Sequence, residues 1–284
     1  MSKTIWLVAK FLITDFKFLR LKKLTLSQKI KFLMVRNWLL IKHLFIKKFE
    51  FGRDRATVFG EQIYYASPLG IMPYQTMLIT HQTLLETARI ADAKVVLDVG
   101  AQVGYFSKLV RRLYPDCLIY GFEPVPAIFN CLVANFKDDS KIKLFQRAVT
   151  DQVGTVKMLF SRGDLAISAI NPQGDIEVSA NTLDRLVEEN RLTSIDIIKI
   201  DVESFEAHVL RGGARRALAL TKYVMLEFTT FHHHNYTLSS LMKLLNGDTY
   251  DFQIVAFKNY ENKKEGEEGQ VSLMDIIFKN IKLV

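Results

Sequence analysis

From Lys94 onward, short apolar runs alternate with stretches of helical periodicity, and this alternation predicts an α/β fold. Strands are expected at 95–99, 117–122, 142–147, 154–160, 176–180, 195–200, 222–228, 252–257 and 271–278. Helices are expected at 104–113, 125–136, 182–190, 204–211 and 237–245, with Thr182 as an N-cap. The Val/Ile-rich runs at 95–99 and 195–200 alternate little, as strands of a parallel sheet do when helices cover both faces. Only a polar segment, 259–270, joins the last two strands, too short for a crossover helix. They should pair antiparallel at the sheet edge. The pattern therefore predicts a mostly parallel sheet with a C-terminal antiparallel hairpin. Upstream, 56–66 reads as a hairpin around Gly60, and 74–91 as a helix leading into the first core strand.

Residues 1–50 carry no Gly or Pro and read as one or two helices, which sets off a helical extension, 1–55, from a body, 56–284. The extension changes the meaning of the overall charge of +8. Its first 50 residues hold twelve Lys and Arg against Asp15 and Glu50, a net of +10, whereas the rest of the chain has a net of −2. Lys29, Arg36, His43 and Lys47 fall on one helical stripe, and most of the remaining circumference is apolar. Two readings fit: an arm on an anionic membrane surface with its cationic heads at the lipid headgroups, or a helical cap packed on protein. The basic residues do not gather around the candidate site described next, so nucleic acid is not an expected partner. Cys117 and Cys131, without metal spacing, are expected as buried free thiols. Lys10 and Asp15 interrupt the only candidate leader, and no 18-residue uncharged apolar stretch occurs. The expected location is the cytoplasm, or the inner face of a membrane.

Candidate chemistry gathers at strand ends. Val95-Val96-Leu97-Asp98-Val99-Gly100-Ala101-Gln102-Val103-Gly104 is a strand, a glycine turn and the start of a helix. Such a turn presents backbone N–H groups and a helix N-terminus to a nucleotide-like cofactor. Gly100 permits a positive-φ turn, Gly104 permits close approach, and Asp98 can hydrogen-bond the cofactor's amino-acid part. The next strand ends in Glu123-Pro124, where a carboxylate can accept from both hydroxyls of a ribose. The spacing is G-x-x-x-G rather than the G-x-G-x-x-G that wraps a pyrophosphate. A cofactor with a ribose and no diphosphate fits, and S-adenosylmethionine is such a molecule. Arg147, at the end of the third strand, faces the same crevice and could flank the adenine.

A second cluster, Lys199-Ile200-Asp201-Val202-Glu203-Ser204-Phe205-Glu206, brings three carboxylates to the tip of another strand. Asp201 is expected beside the reactive centre, either as the base for an acceptor hydroxyl or as the anchor of a divalent cation, with Glu203 in the turn. The strand beginning near 222 ends in Glu227 and runs on to His232-His233-His234. One imidazole, taken as His232, is an alternative base. Three successive histidines cannot face one ion from a strand, so no metal site is assigned to them.

Taken in order, V-L-D-V-G-A-Q-V-G-Y-F-S, G-F-E-P, T-L-D-R-L, D-I-I-K-I-D-V-E-S-F-E-A-H-V-L-R-G and M-L-E-F resemble the FkbM-type methyltransferases over residues 94 to about 230. The resemblance implies a Rossmann-like class I methyltransferase fold and S-adenosylmethionine as cofactor. It also implies O-methylation of a hydroxyl on a glycan, glycolipid or natural product. By position it assigns Asp98, Gly100, Gln102, Gly104 and Glu123 to the cofactor, and Asp201 with Glu203 to the acceptor. The chain departs from the pattern at Gln102, where the family has Asn, and at Ser204, where it has Gly. If position 204 needs a positive φ, Ser204 is strained. Two other readings stay open: a membrane-docked adaptor that keeps the fold without transfer, and an NAD-binding oxidoreductase.

Overall fold

The computed structural model describes residues 14–21, 24–46, 54–65, 71–160, 168–229, 236–262 and 271–283. Residues 14–19 are helical and are followed by α1 (Leu26–Ile46), the hairpin β1 (Arg55–Val58) and β2 (Glu61–Tyr64), and α2 (Met72–Thr87). The body continues through β3 (Val95–Val99), α3 (Tyr105–Leu113), β4 (Leu118–Phe122), α4 (Pro126–Asn135), β5 (Ile142–Phe145), β6 (Ala148–Thr150), β7 (Gly154–Phe160) and β8 (Ser168–Ile170). Then come β9 (Ile176–Thr182), α5 (Leu183–Glu189), β10 (Ile195–Ile200), α6 (Glu206–Arg211), β11 (Thr221–Thr229), α7 (Leu238–Leu244), β12 (Phe252–Asn262) and β13 (Val271–Asn280).

The main sheet has seven strands in the order β12-β13-β11-β10-β3-β4-β5. Strands β11, β10, β3, β4 and β5 are parallel, and β13 runs antiparallel between β11 and β12. The order reverses between β3 and β10, where an open α/β sheet leaves a crevice at its carboxyl edge. Side chains alternate across the sheet. Val96, Ile119 and Ile197 pack with α2, α3 and the N-terminal helices, while Leu97, Val99, Ile198 and Ile200 pack with α5, α6 and α7. Each such fully buried aliphatic side chain contributes roughly 1.5–3 kcal/mol. The Thr182 cap is present, its Oγ1 accepting from the Arg185 N–H at 3.2 Å. Both cysteines are buried and free.

Three expectations need correction. The strand at 142–147 breaks after Phe145, and its continuation, β6, leaves the main sheet. With the strands at 154–160 and 176–180 and the unforeseen β8, it builds a separate four-stranded sheet, β6-β9-β7-β8. Alternation marks a strand but does not say which sheet it joins. The third correction concerns the basic stripe of α1, which does not face outward at Lys29 and Arg36. Both are buried: the Lys29 ammonium donates to the Leu19 carbonyl at 2.8 Å, and the Arg36 guanidinium binds Asp15, Gln75 and Asn37. Solvation outside is replaced by partners inside, because Phe32 and Leu39 on the same side pull that face into the core. Phe18, Leu24, Phe32 and Leu39 share one apolar cluster with Tyr74, Tyr105 and Phe106 of the body. No described helix is long and apolar enough to cross a membrane.

Candidate active site

At the carboxyl ends of β3, β4, β10 and β11 lies a cleft of about 280 Å³, lined among others by Gly100, Gln102, Glu123, Arg147, Asp201 and Glu203. Six residues singled out from the sequence thus meet in one place. Asp98 and Gly104 are close by but do not line it. Asp98 is fully buried beneath the turn, its Oδ2 accepting from the Ser107 hydroxyl at 2.6 Å. Gly104 caps α3 at φ +91°, and a Cβ there would lie 2.4 Å from the Phe136 ring and 2.8 Å from Leu132. Its glycine is required by helix packing. At Gly100, with φ +78°, a Cβ would sit 1.9 Å from the Asp201 carbonyl oxygen. Only glycine lets the tips of β3 and β10 come this close. Gln102 is also left-handed, at φ +51°. His232 lies outside the described residues, as do His233 and His234.

Glu123 closes the cofactor side. Its Oε1 accepts from the Val125 N–H at 2.8 Å and its Oε2 from the Gln102 N–H at 3.1 Å. A carboxylate oxygen has two lone pairs, so each keeps one for an incoming donor. Burial pushes this carboxyl up to about 7, against the two backbone N–H groups that favour its charged form. Phe122 stacks on Phe145 at 5.1 Å, and Phe122, Ile128 and Val149 give the cleft apolar walls. Arg147 lines the rim and pairs with Glu189 at 2.9 Å.

The acceptor side is organised by a residue that strand patterning left unassigned. Lys199 is the register partner of Asp98 on the next strand and is 3 % exposed. Its ammonium lies 3.0 Å from Asp201 Oδ2, 3.0 Å from the Gly100 carbonyl and 3.6 Å from Asp98 Oδ1. The carboxylates hold its pKa above the ordinary lysine value despite burial, led by Asp201. A lysine near the carboxyl end of a fully buried parallel strand had to find buried partners, and that was the available signal. Glu227 at the tip of β11 was likewise given no role. Carboxylate oxygens of Asp201, Glu203 and Glu227 lie within 4.8 Å of one another. The charge of Asp201, followed by burial, raises the Glu227 pKa far above the usual carboxylate range. Burial, and then Asp201 and Glu206, push Glu203 up to about 7. Such a trio has the ligand chemistry of a hard divalent cation, with the Lys199 ammonium beside it at 3.0 Å from Asp201 Oδ2.

The turn that carries Glu203 is strained. Glu203 has φ +49° and Ser204 φ +89°, held by Glu206, whose Oε1 accepts from the Ser204 N–H at 3.1 Å. Glu206 is buried and takes a further bond from the Tyr236 hydroxyl. Ser204→Gly should relieve the strain and stabilise the fold by about 1 kcal/mol, raising the midpoint of thermal unfolding by about 2 °C. An unchanged or lower midpoint would show that the turn carries no strain.

Known proteins resemble this chain in sequence. Residues 98–254 match the model of the methyltransferase FkbM domain family. The 2-O-methyltransferase NoeI of Sinorhizobium fredii is 26% identical over 235 residues, which cover 75% of this chain and 90% of that protein. The 31-O-demethyl-FK506 methyltransferase FkbM of Streptomyces tacrolimicus is 26% identical over 217 residues, 64% of this chain and 82% of that protein. A solved structure of methyltransferase FkbM from Methylobacillus flagellatus KT aligns with a TM-score of 0.43 and 13% identity, over 74% of this chain and 54% of that one.

Proposed function

This chain belongs to the FkbM methyltransferase family, and from that premise we propose that it moves a methyl group from S-adenosylmethionine to a hydroxyl of a glycan, glycolipid or natural product. The observation that carries this reading is Glu123, a buried acid at a strand tip with one lone pair free on each oxygen, in the same cleft as Asp201 and Glu203. That pair of acceptors fits the two hydroxyls of a ribose, which would donate to it. Glu123 would hold the sugar, and the apolar walls from Phe122, Ile128 and Val149 would hold the adenine. When bound, the cofactor supplies a methyl group already activated by its sulfonium.

What remains for the protein is alignment and removal of one proton. Alignment alone is worth about 7 kcal/mol or more. We assign the proton to Glu203 rather than to Asp201. The Asp201 carboxylate is engaged by Lys199 at 3.0 Å, while Glu203 titrates near 7, matched to accepting a proton at neutral pH. Asp201 then fixes the acceptor side, and the neutral Glu227 carboxyl can donate to an acceptor oxygen.

The test is transfer of isotope-labelled methyl from S-adenosylmethionine to a panel of methyl glycosides, neutral and uronic, and to hydroxylated macrolactones. Label that survives alkali is expected, since a methyl ether resists the treatment that removes a methyl ester. Alkali-labile label, or none in any acceptor class, would reject methylation of a hydroxyl.

A further inference from the structure

We propose that the outward face of α1 docks on an anionic lipid bilayer. Along α1, Leu26, Ile30, Met34, Trp38 and Ile41 are exposed, at 64%, 46%, 67%, 61% and 53%. Their spacings of four, four, four and three residues make one continuous stripe along the helix. In the preceding helical turn Phe16 and Leu19 are exposed as well. These seven, all within residues 16–41, are a large share of the sixteen big apolar side chains exposed among the described residues, so exposed apolar surface is concentrated in this part of the chain.

Charge identifies the partner. Lys31 is exposed on α1 next to Trp38 in helical angle, Lys17 and Arg20 are exposed on the preceding helical turn, and the first 50 residues carry a net of +10. Asp15, one of the two acids there, is engaged by Arg36. A second copy docked on this face would bring two such charges together, whereas anionic lipid attracts them. Trp38, with the Lys42 ammonium 6.0 Å from its ring, joins an apolar body to a polar edge, as suits the headgroup boundary. Lys29 and Arg36 of the expected cationic stripe are turned inward, so contact is made by the apolar stripe, with Lys31 at its margin and Lys17 and Arg20 on the preceding turn. Helix α1 would lie flat, with its outer side in the interface.

The test is co-sedimentation of the full chain with phosphatidylcholine vesicles that contain about 30% phosphatidylglycerol, or none, in about 0.1 M salt. Binding to the anionic vesicles is expected, at least about fivefold stronger than to neutral ones and reduced in about 0.5 M salt. Met34→Glu with Trp38→Glu should weaken it at least about tenfold, while Val153→Glu, an exposed apolar site elsewhere, should not. Calorimetry with S-adenosylhomocysteine checks that the variants are folded. Three results would overturn the proposal: equal sedimentation of parent and double variant, equal binding to both vesicles, or a light-scattering dimer that the double variant makes monomeric.

Discussion

Glu123→Ala is expected to weaken S-adenosylhomocysteine binding about 100-fold or more in isothermal calorimetry. The variant loses two hydrogen bonds to a charged acceptor, each worth about 1.5–3 kcal/mol, and strands the Gln102 and Val125 N–H groups. The parent should also show a pH signature that the variant lacks. Below about 7 the Glu123 carboxyl is protonated in the cofactor-free protein, so affinity should fall about tenfold per pH unit and level off above 7. Stability runs the other way. The folded pKa lies above the unfolded one, so this group favours the folded, empty protein increasingly as pH falls from about 7 towards the ordinary carboxylate range. Parent-like affinity in the alanine variant would remove Glu123 from the site.

Glu203→Gln should lower the rate of methyl transfer by a factor of roughly 100 to 10,000 and leave S-adenosylhomocysteine affinity within about threefold. The amide keeps the shape of the side chain in its left-handed turn but cannot take the proton. Asp201→Asn should lose less in rate, since the carboxylate it removes is tied to Lys199. Single-turnover label transfer, followed across pH, separates the two: only the glutamate variant should lose the dependence centred near 7. A glutamate variant that turns over like the parent, beside an inactive Asp201→Asn, would return the base to Asp201.

The strand tips were legible because β3, β4 and β10 are mostly apolar runs with an acid at or next to the carboxyl end, although the acid of β3, Asp98, proved to lie beneath the turn rather than in the cleft. Gly100 was legible as a turn, but its close partner, the Asp201 carbonyl, sits on a strand about a hundred residues away. Lys199 read as one polar letter in IIKI until the register set it beside Asp98. The small sheet was hidden for a different reason. Its strands carry ordinary alternation, and only the break after Phe145 diverts β6 from the main sheet. In α1, apolar residues occur on both sides, so composition could not say which side the core would claim. Phe32, tilted against Phe18 and stacked on Phe59, decided it. The oxidoreductase and adaptor readings are not favoured by the family match.

The Lys199 ammonium bridges the glycine turn and the acceptor-side carboxylate, so no part of the cleft floor can be altered alone. A new side chain there would disturb donor and acceptor together. Met158 and Ile170, by contrast, reach the cleft from β7 and β8 of the small sheet. Diversification towards new hydroxyl compounds would therefore be cheapest on that hairpin, leaving the floor as an invariant chassis beneath an interchangeable roof.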